Sequence, residues 1–350
     1  MTMPLPFAIN GLGRVGRALL RTSRRFEELR LVGVNDLQSP QALAQRIARD
    51  SIYGAFDGEA AASPDALWVD GERIAFYGRR QPDEIPWSEC GARLVVESSG
   101  VERTGTYARR HLGGSVERVV AAWNPDPDPP DVDATFCIGI NDQGYDPDRH
   151  RVISNASCTT NCIAPLAKVL DDAFGLRHGL THSVHSVTNS QPLLDTGFGD
   201  PRRGRSALIN MIPVSSRAAR SVGEVLPHLA GRLDGYVTRV PAPAAAMLDM
   251  VAHLERPATE GEVQEAFRQA ALGALEGVLA VTEEPWVSSD FVGEANSAVV
   301  DLPLTQKVGD HLVRVVAWYD NEWGYASRLA ELLALIARRQ SGGQKGASSR

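Results

Sequence analysis

In Ser154-Asn155-Ala156-Ser157-Cys158-Thr159-Thr160-Asn161-Cys162, a thiol stands at the junction of two apolar runs. Arg151-Val152-Ile153 before it reads as a strand, and Ile163 to Leu170 after it reads as a helix. A helix N-terminus presents unpaired N–H groups and the positive end of a dipole, and both stabilise a thiolate. Cys158 so placed is a candidate low-pKa nucleophile. A buried structural cysteine beside a Ser/Thr cap is the alternative that this segment alone leaves open. A nucleophilic thiol needs a base. His185, in Thr181-His182-Ser183-Val184-His185-Ser186-Val187-Thr188, is the best candidate, because it lies in an apolar strand with little else ionisable. His182 and His178 are rivals. His182 and His185 differ by an odd offset, so only one of those two can readily face the thiol.

A second constellation lies near the N-terminus. Gly11-Leu12-Gly13-Arg14-Val15-Gly16 fits GxGxxG, follows the strand pattern Phe7 to Ile9 and opens a helix reaching Phe26. Gly11 permits a tight turn, Gly13 lets backbone approach a pyrophosphate, and Gly16 allows close helix–strand packing. The helix N-terminus then faces the phosphates. Asp36, twenty residues past Gly16, ends the second strand. A carboxylate there accepts ribose hydroxyls and repels a 2′-phosphate, which favours NAD over NADP. A turn-initiating Asn35-Asp36 pair is the competing explanation. A dinucleotide domain and an activated thiol together suggest one reaction class. The thiol adds to an aldehyde, hydride leaves to the nicotinamide, a thioester remains, and an outside nucleophile releases the acyl group.

The elements that must position these groups fall into two sets. Over the first 150 residues, apolar strand runs (7–9, 31–34, 94–96, 119–121, 134–138) alternate with helical segments at 17–26 and 42–49, which argues for a parallel sheet. Prolines at 125, 127, 129 and 130 make the segment from Trp123 to Asp133 a loop. After Cys158 a helix over 159–174 precedes longer strand runs (179–187, 235–240, 246–254, 297–302, 311–318), with helices at 215–229 and 259–272. Such a run of strands suggests a mixed or antiparallel sheet covered on one face. An amphipathic last helix, 325–339, has no strand partner in sequence and is expected to return to the first domain. The expected class is α/β: a Rossmann-type parallel-sheet domain over 1–157, completed by the helix at about 322–340, and an α+β catalytic domain over 158–321. The Gly/Ser-rich 341–350 is expected to be a disordered tail.

Bulk properties narrow the classes. The 350 residues and 37.8 kDa suit two domains or one large one. Hydrophobic content is 43% and charged content 23%, ordinary for a globular protein, and a net charge of −7 does not point to nucleic acid. Cys90, Cys137, Cys158 and Cys162 are too few and uneven for a disulfide framework, and no CxxC pair suggests zinc or another metal. Neither a signal-peptide pattern nor an apolar run of transmembrane length occurs, so a soluble cytoplasmic protein without membrane partners is expected.

The sequence resembles the phosphorylating glyceraldehyde-3-phosphate dehydrogenase family. The resemblance is carried by INGLGRVGR at 9–17, SNASCTTNC at 154–162, the segment around His185, Arg239-Val240-Pro241, and Trp318-Tyr319-Asp320-Asn321-Glu322-Trp323-Gly324-Tyr325. These segments lie in family order and span nearly the whole chain. The resemblance implies Cys158 as nucleophile and His185 as its base, donating with the Cys158 N–H to the substrate oxygen. It implies NAD as cofactor, with Asn321 on the nicotinamide carboxamide. Arg239 and Thr188 would bind the substrate's phosphate. Thr159 and Ser216, with Ser157 and Arg217 beside them, would bind inorganic phosphate, and Arg203 would lie between the two anion subsites. Cys162, four residues after Cys158, is expected to be structural, though it could resolve a sulfenic acid. A homotetramer is implied, with the loop at about 190–210 near a neighbour's cofactor.

Several residues depart from the family pattern. Ser190 stands where bacterial members commonly have Asp, Arg217 where Gly is usual, and Ala242 where Thr is usual. Ala122 replaces a Ser, Glu102 an aromatic, and Thr196-Gly197 a Leu-Pro pair linked to NAD preference. Arg217 adds a cation beside Ser216, as erythrose-4-phosphate dehydrogenases tend to do. A hydrolytic tetrose-phosphate enzyme is therefore the nearest alternative to a triose-phosphate one.

Overall fold

The computed structural model describes residues 3–126 and 128–347, with side chains described as far as residue 340. Two compact units emerge. One comprises Met1–Ile138, Asp142–Ala156 and Ala326–Arg350, and the other Gly139–Asn141 and Ser157–Tyr325.

The first unit is built on β1 (Leu5–Asn10), α1 (Arg14–Ser23), β2 (Leu29–Asn35), β3 (Glu72–Tyr77), β4 (Leu94–Glu97), β5 (Arg118–Ala121) and β6 (Val152–Ser154). Its nine-stranded sheet runs Ala134–Thr135, β6, β5, β4, β1, β2, β3, then Ala66–Val69 and Ala60–Ser63. The first seven strands are parallel and the last two antiparallel. Parallel strands covered on both faces read as continuous apolar runs, and all four residues of β4 are buried. The closing hairpin was not anticipated, although Asp70-Gly71, with φ of 50° and 79°, is a hairpin-turn signal that the sequence carries. Of Phe136 to Ile138, expected to extend the Ala134 strand, Phe136 still gives its N–H to Ser154 O at 2.8 Å, and the strand ends there. The core joins Phe7, Ile9 and Leu19 to Leu329, Leu333 and Ile336 of the C-terminal helix.

The second unit contains α2 (Cys158–Phe174), β7 (Leu176–Ser186), β8 (Ile212–Ser215), β9 (Leu233–Val240), β10 (Ala246–Leu254), α3 (Glu260–Leu272), β11 (Leu279–Thr282), β12 (Ala298–Asp301) and β13 (Leu312–Tyr319). Helix α4 (Trp323–Ala347) follows. It continues past the expected end into the segment read from composition as a tail, and residues 348–350 lie outside the described residues. The mixed sheet runs β8-β9-β7-β10-β13-β12-β11, with Gln306–Val308 paired to β13. The pairs β7/β9 and β11/β12 are parallel. Along β10, Ala246, Leu248, Met250, Ala252 and Leu254 are buried while the alternate residues are more open, so one face is covered. The helix expected over 215–229 is absent. Ser215 ends β8, and only short helical turns occur at Val222–Val225 and Pro227–Leu229. Pro227, which has no N–H to give, separates those two turns.

Candidate active site

Cys158 opens α2, and the helix is capped by the preceding residue: Ser157 Oγ accepts the Thr160 N–H at 3.0 Å. Ala156, before the cap, takes φ +55°, a costly conformation for a residue with a Cβ, and turns the chain from β6 into the helix. The Ser157 hydroxyl also lies 2.7 Å from Thr160 Oγ1.

Register builds the rest of the site. One row across the sheet reads Ile212, Arg239, His185, Ala246, Tyr319, one residue from each of β8, β9, β7, β10 and β13. Partners in register share a face, so Arg239, His185 and Tyr319 are brought together by pairing alone. Ala246 is small enough that the His185 and Tyr319 rings meet edge to face, 5.9 Å between centroids. His185 is 2% exposed, and its Nε2 lies 3.6 Å from Cys158 Sγ, within hydrogen-bond reach for sulfur. The rivals point elsewhere. His182 stacks on Tyr236 and bonds Thr238, while His178 stacks on His253.

Arg239 Nη1 lies 2.5 Å from His185 Nδ1 and 3.1 Å from Ser186 O. A guanidinium can only donate, so in this arrangement the imidazole proton sits on Nε2, toward the sulfur. The same Nδ1 is 2.8 Å from Ser186 O, to which it donates in the other tautomer. Burial, then the Arg239 charge, pulls the His185 pKa down to about 3. Burial raises the Cys158 pKa despite opposing contributions from Arg239 and Thr159. Desolvation is the largest contribution at both Cys158 and His185, and at each it disfavours the charged form. Burial likewise pushes Cys162 well up.

The remaining residues assemble around this pair to different degrees. Ser186 Oγ donates to Asn321 Oδ1 at 2.8 Å, tying Asn321 to the histidine strand and turning its NH₂ toward other acceptors. Thr188 gives both its N–H and its hydroxyl to Gln191 Oε1, each at 2.9 Å, and lies 3.0 Å from Ser190 Oγ. Thr160 Oγ1 donates to Ala218 O at 3.1 Å, anchoring the Ser216-Arg217-Ala218 segment to the start of α2. Ser216 Oγ accepts the Ala218 N–H, and Arg217 lies 3.8 Å from Glu224. Arg203 reaches Ser215 O at 3.3 Å, next to Ser216. Sequence reasoning assigned no role to Tyr319, Ser186 or Gln191. The WYDNEWGY segment and the proximity to His185 were the signals available.

The nucleotide constellation lies in the first unit. Gly11 has φ +91°, and a Cβ there would come within 2.5 Å of Ser99 Cα; one on Gly16 would lie 2.4 Å from Gly11 O. A Cβ on Gly13 would meet nothing within 4 Å. Gly13 is also the N-cap of α1, which has no side-chain cap bond and no acid in its first turn. This is an open cradle of N–H groups that fits a pyrophosphate. Asp36 accepts the Leu12 N–H at 2.8 Å and the Gln38 N–H at 2.9 Å, so it braces the turn and still has a lone pair on each oxygen. Leu12 is fully buried with its N–H used, Arg14 holds Asp50 at 2.7 Å, and Val15 packs on the core.

A glycine turn opening a helix in one unit and a Cys–His pair on a mixed sheet in the other define an NAD-dependent oxidoreductase. Residues 5–105 match the family model of the NAD-binding domain of glyceraldehyde 3-phosphate dehydrogenase, and residues 157–321 match that of its C-terminal domain. The chain is 43% identical over 333 residues to a glyceraldehyde-3-phosphate dehydrogenase of Kitasatospora aureofaciens, covering 95% of this chain and 99% of that one. It is 40% identical over 331 residues to glyceraldehyde-3-phosphate dehydrogenase 1 of Bacillus cereus, covering 95% and 98%. The chain belongs to the glyceraldehyde 3-phosphate dehydrogenase family, and its cofactor is NAD. Among the described residues, no helix is long and apolar enough to cross a membrane.

Proposed function

We propose that this enzyme oxidises glyceraldehyde 3-phosphate and releases the acyl group to inorganic phosphate as 1,3-bisphosphoglycerate. The observation that carries this reading is the row Arg239–His185 with Cys158 Sγ 3.6 Å from His185 Nε2. An anion-binding cation, a base and a nucleophile stand side by side. Arg239 leaves His185 Nδ1 for the substrate's phosphate, with Thr188 as second donor. Nδ1 then donates to Ser186 O, and Nε2 becomes the acceptor that takes the thiol proton. Cys158 Sγ bonds to the aldehyde carbon, and the proton passes from His185 to the new alkoxide, with the Cys158 N–H also facing that oxygen. NAD, when bound, supplies the hydride acceptor. His185 takes the hydroxyl proton as the thioester forms on Cys158. Asn321 holds the carboxamide and fixes the ring face. Thr159 and Ser216, with Arg217 and Arg203 alongside, hold inorganic phosphate, whose oxygen displaces the sulfur; the leaving thiolate regains a proton from His185.

Arg217 favours a second reading: oxidation of erythrose 4-phosphate with hydrolytic release. Its charge lies on the segment anchored to α2 beside Ser216. The two readings separate by comparing kcat/KM for the two aldehydes with phosphate present and absent. Preference for the triose with phosphate-dependent turnover is expected. Preference for the tetrose, indifferent to phosphate, would reverse the reading. Free cysteines support a reducing, cytoplasmic setting. Exposed Leu193, Leu194, Ile209 and Met211 in the loop after His185 support a homo-oligomer, a tetramer by resemblance.

A further inference from the structure

Tyr319 has no part in the chemistry above, yet it touches both members of the pair. Its ring stands edge-on to His185. Its hydroxyl lies 2.9 Å from Thr159 Oγ1 and 2.9 Å from Ser183 Oγ. Thr159 Oγ1 lies in turn 3.9 Å from Cys158 Sγ. Tyr319, Ser183 and Thr159 are 1%, 1% and 6% exposed, so each hydroxyl depends on the others for its partners. A phenol or an alcohol has one proton to give and can accept on oxygen. If the sulfur is charged, it takes the Thr159 proton. Thr159 then accepts from Tyr319, and Tyr319 from Ser183. The three hydroxyls form one directed chain ending on sulfur, and such chains strengthen along their length.

We propose that Tyr319 is a positioning residue: by donating into Thr159 Oγ1, it keeps the Thr159 proton aimed into the site, first at the Cys158 sulfur and then at the incoming phosphate. A thioester sulfur carries no charge and accepts poorly, so acylation frees the Thr159 proton for a phosphate oxygen without any backbone movement. No bond to Tyr319 breaks in this sequence, because burial keeps its pKa well above the ordinary value and the phenol remains a donor. The ionisable or charged groups around Cys158 are His185 on β7, Arg239 on β9, Cys162 on α2 and Tyr319 on β13. Of these, Tyr319 is the one whose hydroxyl bonds Thr159 Oγ1. The proposal rests on the reading of Cys158 as nucleophile.

Tyr319→Phe keeps the ring against His185 and removes only the hydroxyl. In the full-length, NAD-loaded protein, iodoacetamide alkylation of Cys158 is followed against pH for wild type, Tyr319→Phe, Thr159→Val and the double variant. Tyr319→Phe should raise the pH midpoint, lower reactivity at neutral pH by about 3–10-fold and raise KM for inorganic phosphate by a similar factor, as loss of a bond relayed to a charge implies. The double variant should match Thr159→Val, because Tyr319 acts through Thr159. Thr159→Ser should restore the wild-type profile. An unchanged midpoint in Tyr319→Phe, or losses that multiply in the double variant, overturns the proposal. Should Tyr319→Phe not fold, Ser183→Ala carries the same test: about a 2-fold loss in the wild-type background and none beside Thr159→Val. Alkylation that bypasses Cys158, checked by peptide mass, would instead count against the underlying nucleophile assignment.

Discussion

The two units build their sites from different materials. At the nucleotide end the working surface is backbone: a φ of +91° at Gly11, an open cradle at Gly13 and a Gly16 where an added Cβ would lie 2.4 Å from Gly11 O. Side chains there brace the turn from behind. Glu97 receives Ser99 N and Oγ at 2.8 and 2.6 Å, and Ser98 Oγ donates to Gly11 O at 2.8 Å. At the thiol end the working surface is side chains, drawn from β7, β9 and β13 and one helix N-terminus, and the backbone supplies register. A backbone site should be most sensitive to added atoms, and a side-chain site to lost ones.

The largest test of that contrast is Cys158→Ser. Turnover should fall by about 10⁴-fold or more, as for other nucleophiles removed from a concerted set, while NAD affinity, read by fluorescence titration, stays within about two-fold. Retained turnover would refute the assignment of the nucleophile. Next comes Gly11→Ala, which forces a Cβ into Ser99 at a left-handed φ. It should cost about 2–4 kcal/mol in denaturant unfolding. Gly13→Ala should leave apo stability unchanged within about 0.5 kcal/mol and weaken only NAD binding. Equal destabilisation by both would collapse the distinction. Arg239→Leu should raise KM for the phosphorylated aldehyde by about 10–100-fold, the range of a lost charge-assisted bond. It should also relieve part of the downward pull on the His185 pKa.

A smaller effect is graded with pH. His185 sits near 3 in the folded protein and near 6.5 when unfolded, so the unfolded chain binds the extra proton. Its contribution to stability is complete above 6.5 and is lost as pH falls toward 3. Wild type should therefore lose about 1.4 kcal/mol per pH unit more than His185→Asn between pH 6 and 4. Parallel stability curves for the two proteins would mean that His185 is not held neutral.

The same contrast governs what was legible in the sequence. The glycine fingerprint is local, so its residues, strand and helix can be read from one short window. The parity of His182 and His185 was readable too, since side-chain alternation follows from strand geometry alone. The row Ile212–Arg239–His185–Ala246–Tyr319 was not, because register between strands distant in sequence is fixed by packing. Tyr319 was consequently visible as part of a motif but not as a neighbour of His185. The sign of the Cys158 shift was also out of reach. A helix N-terminus argues for a lowered pKa, and only the packed environment reveals that burial dominates. Over Ser215 to Leu229 apolar spacing alone implied one helix, although Pro227 interrupts it and Ser215 belongs to a strand.

Cys158, freed to attack by its partners in that row, should carry the acyl group until phosphate removes it. Rapid mixing of the NAD-loaded enzyme with glyceraldehyde 3-phosphate in phosphate-free buffer tests this directly. The expected result is a burst of about one NADH per Cys158, then a near halt with an acyl adduct on the Cys158 peptide, and resumed turnover when phosphate is added. Steady NADH production without phosphate and without an adduct would contradict it.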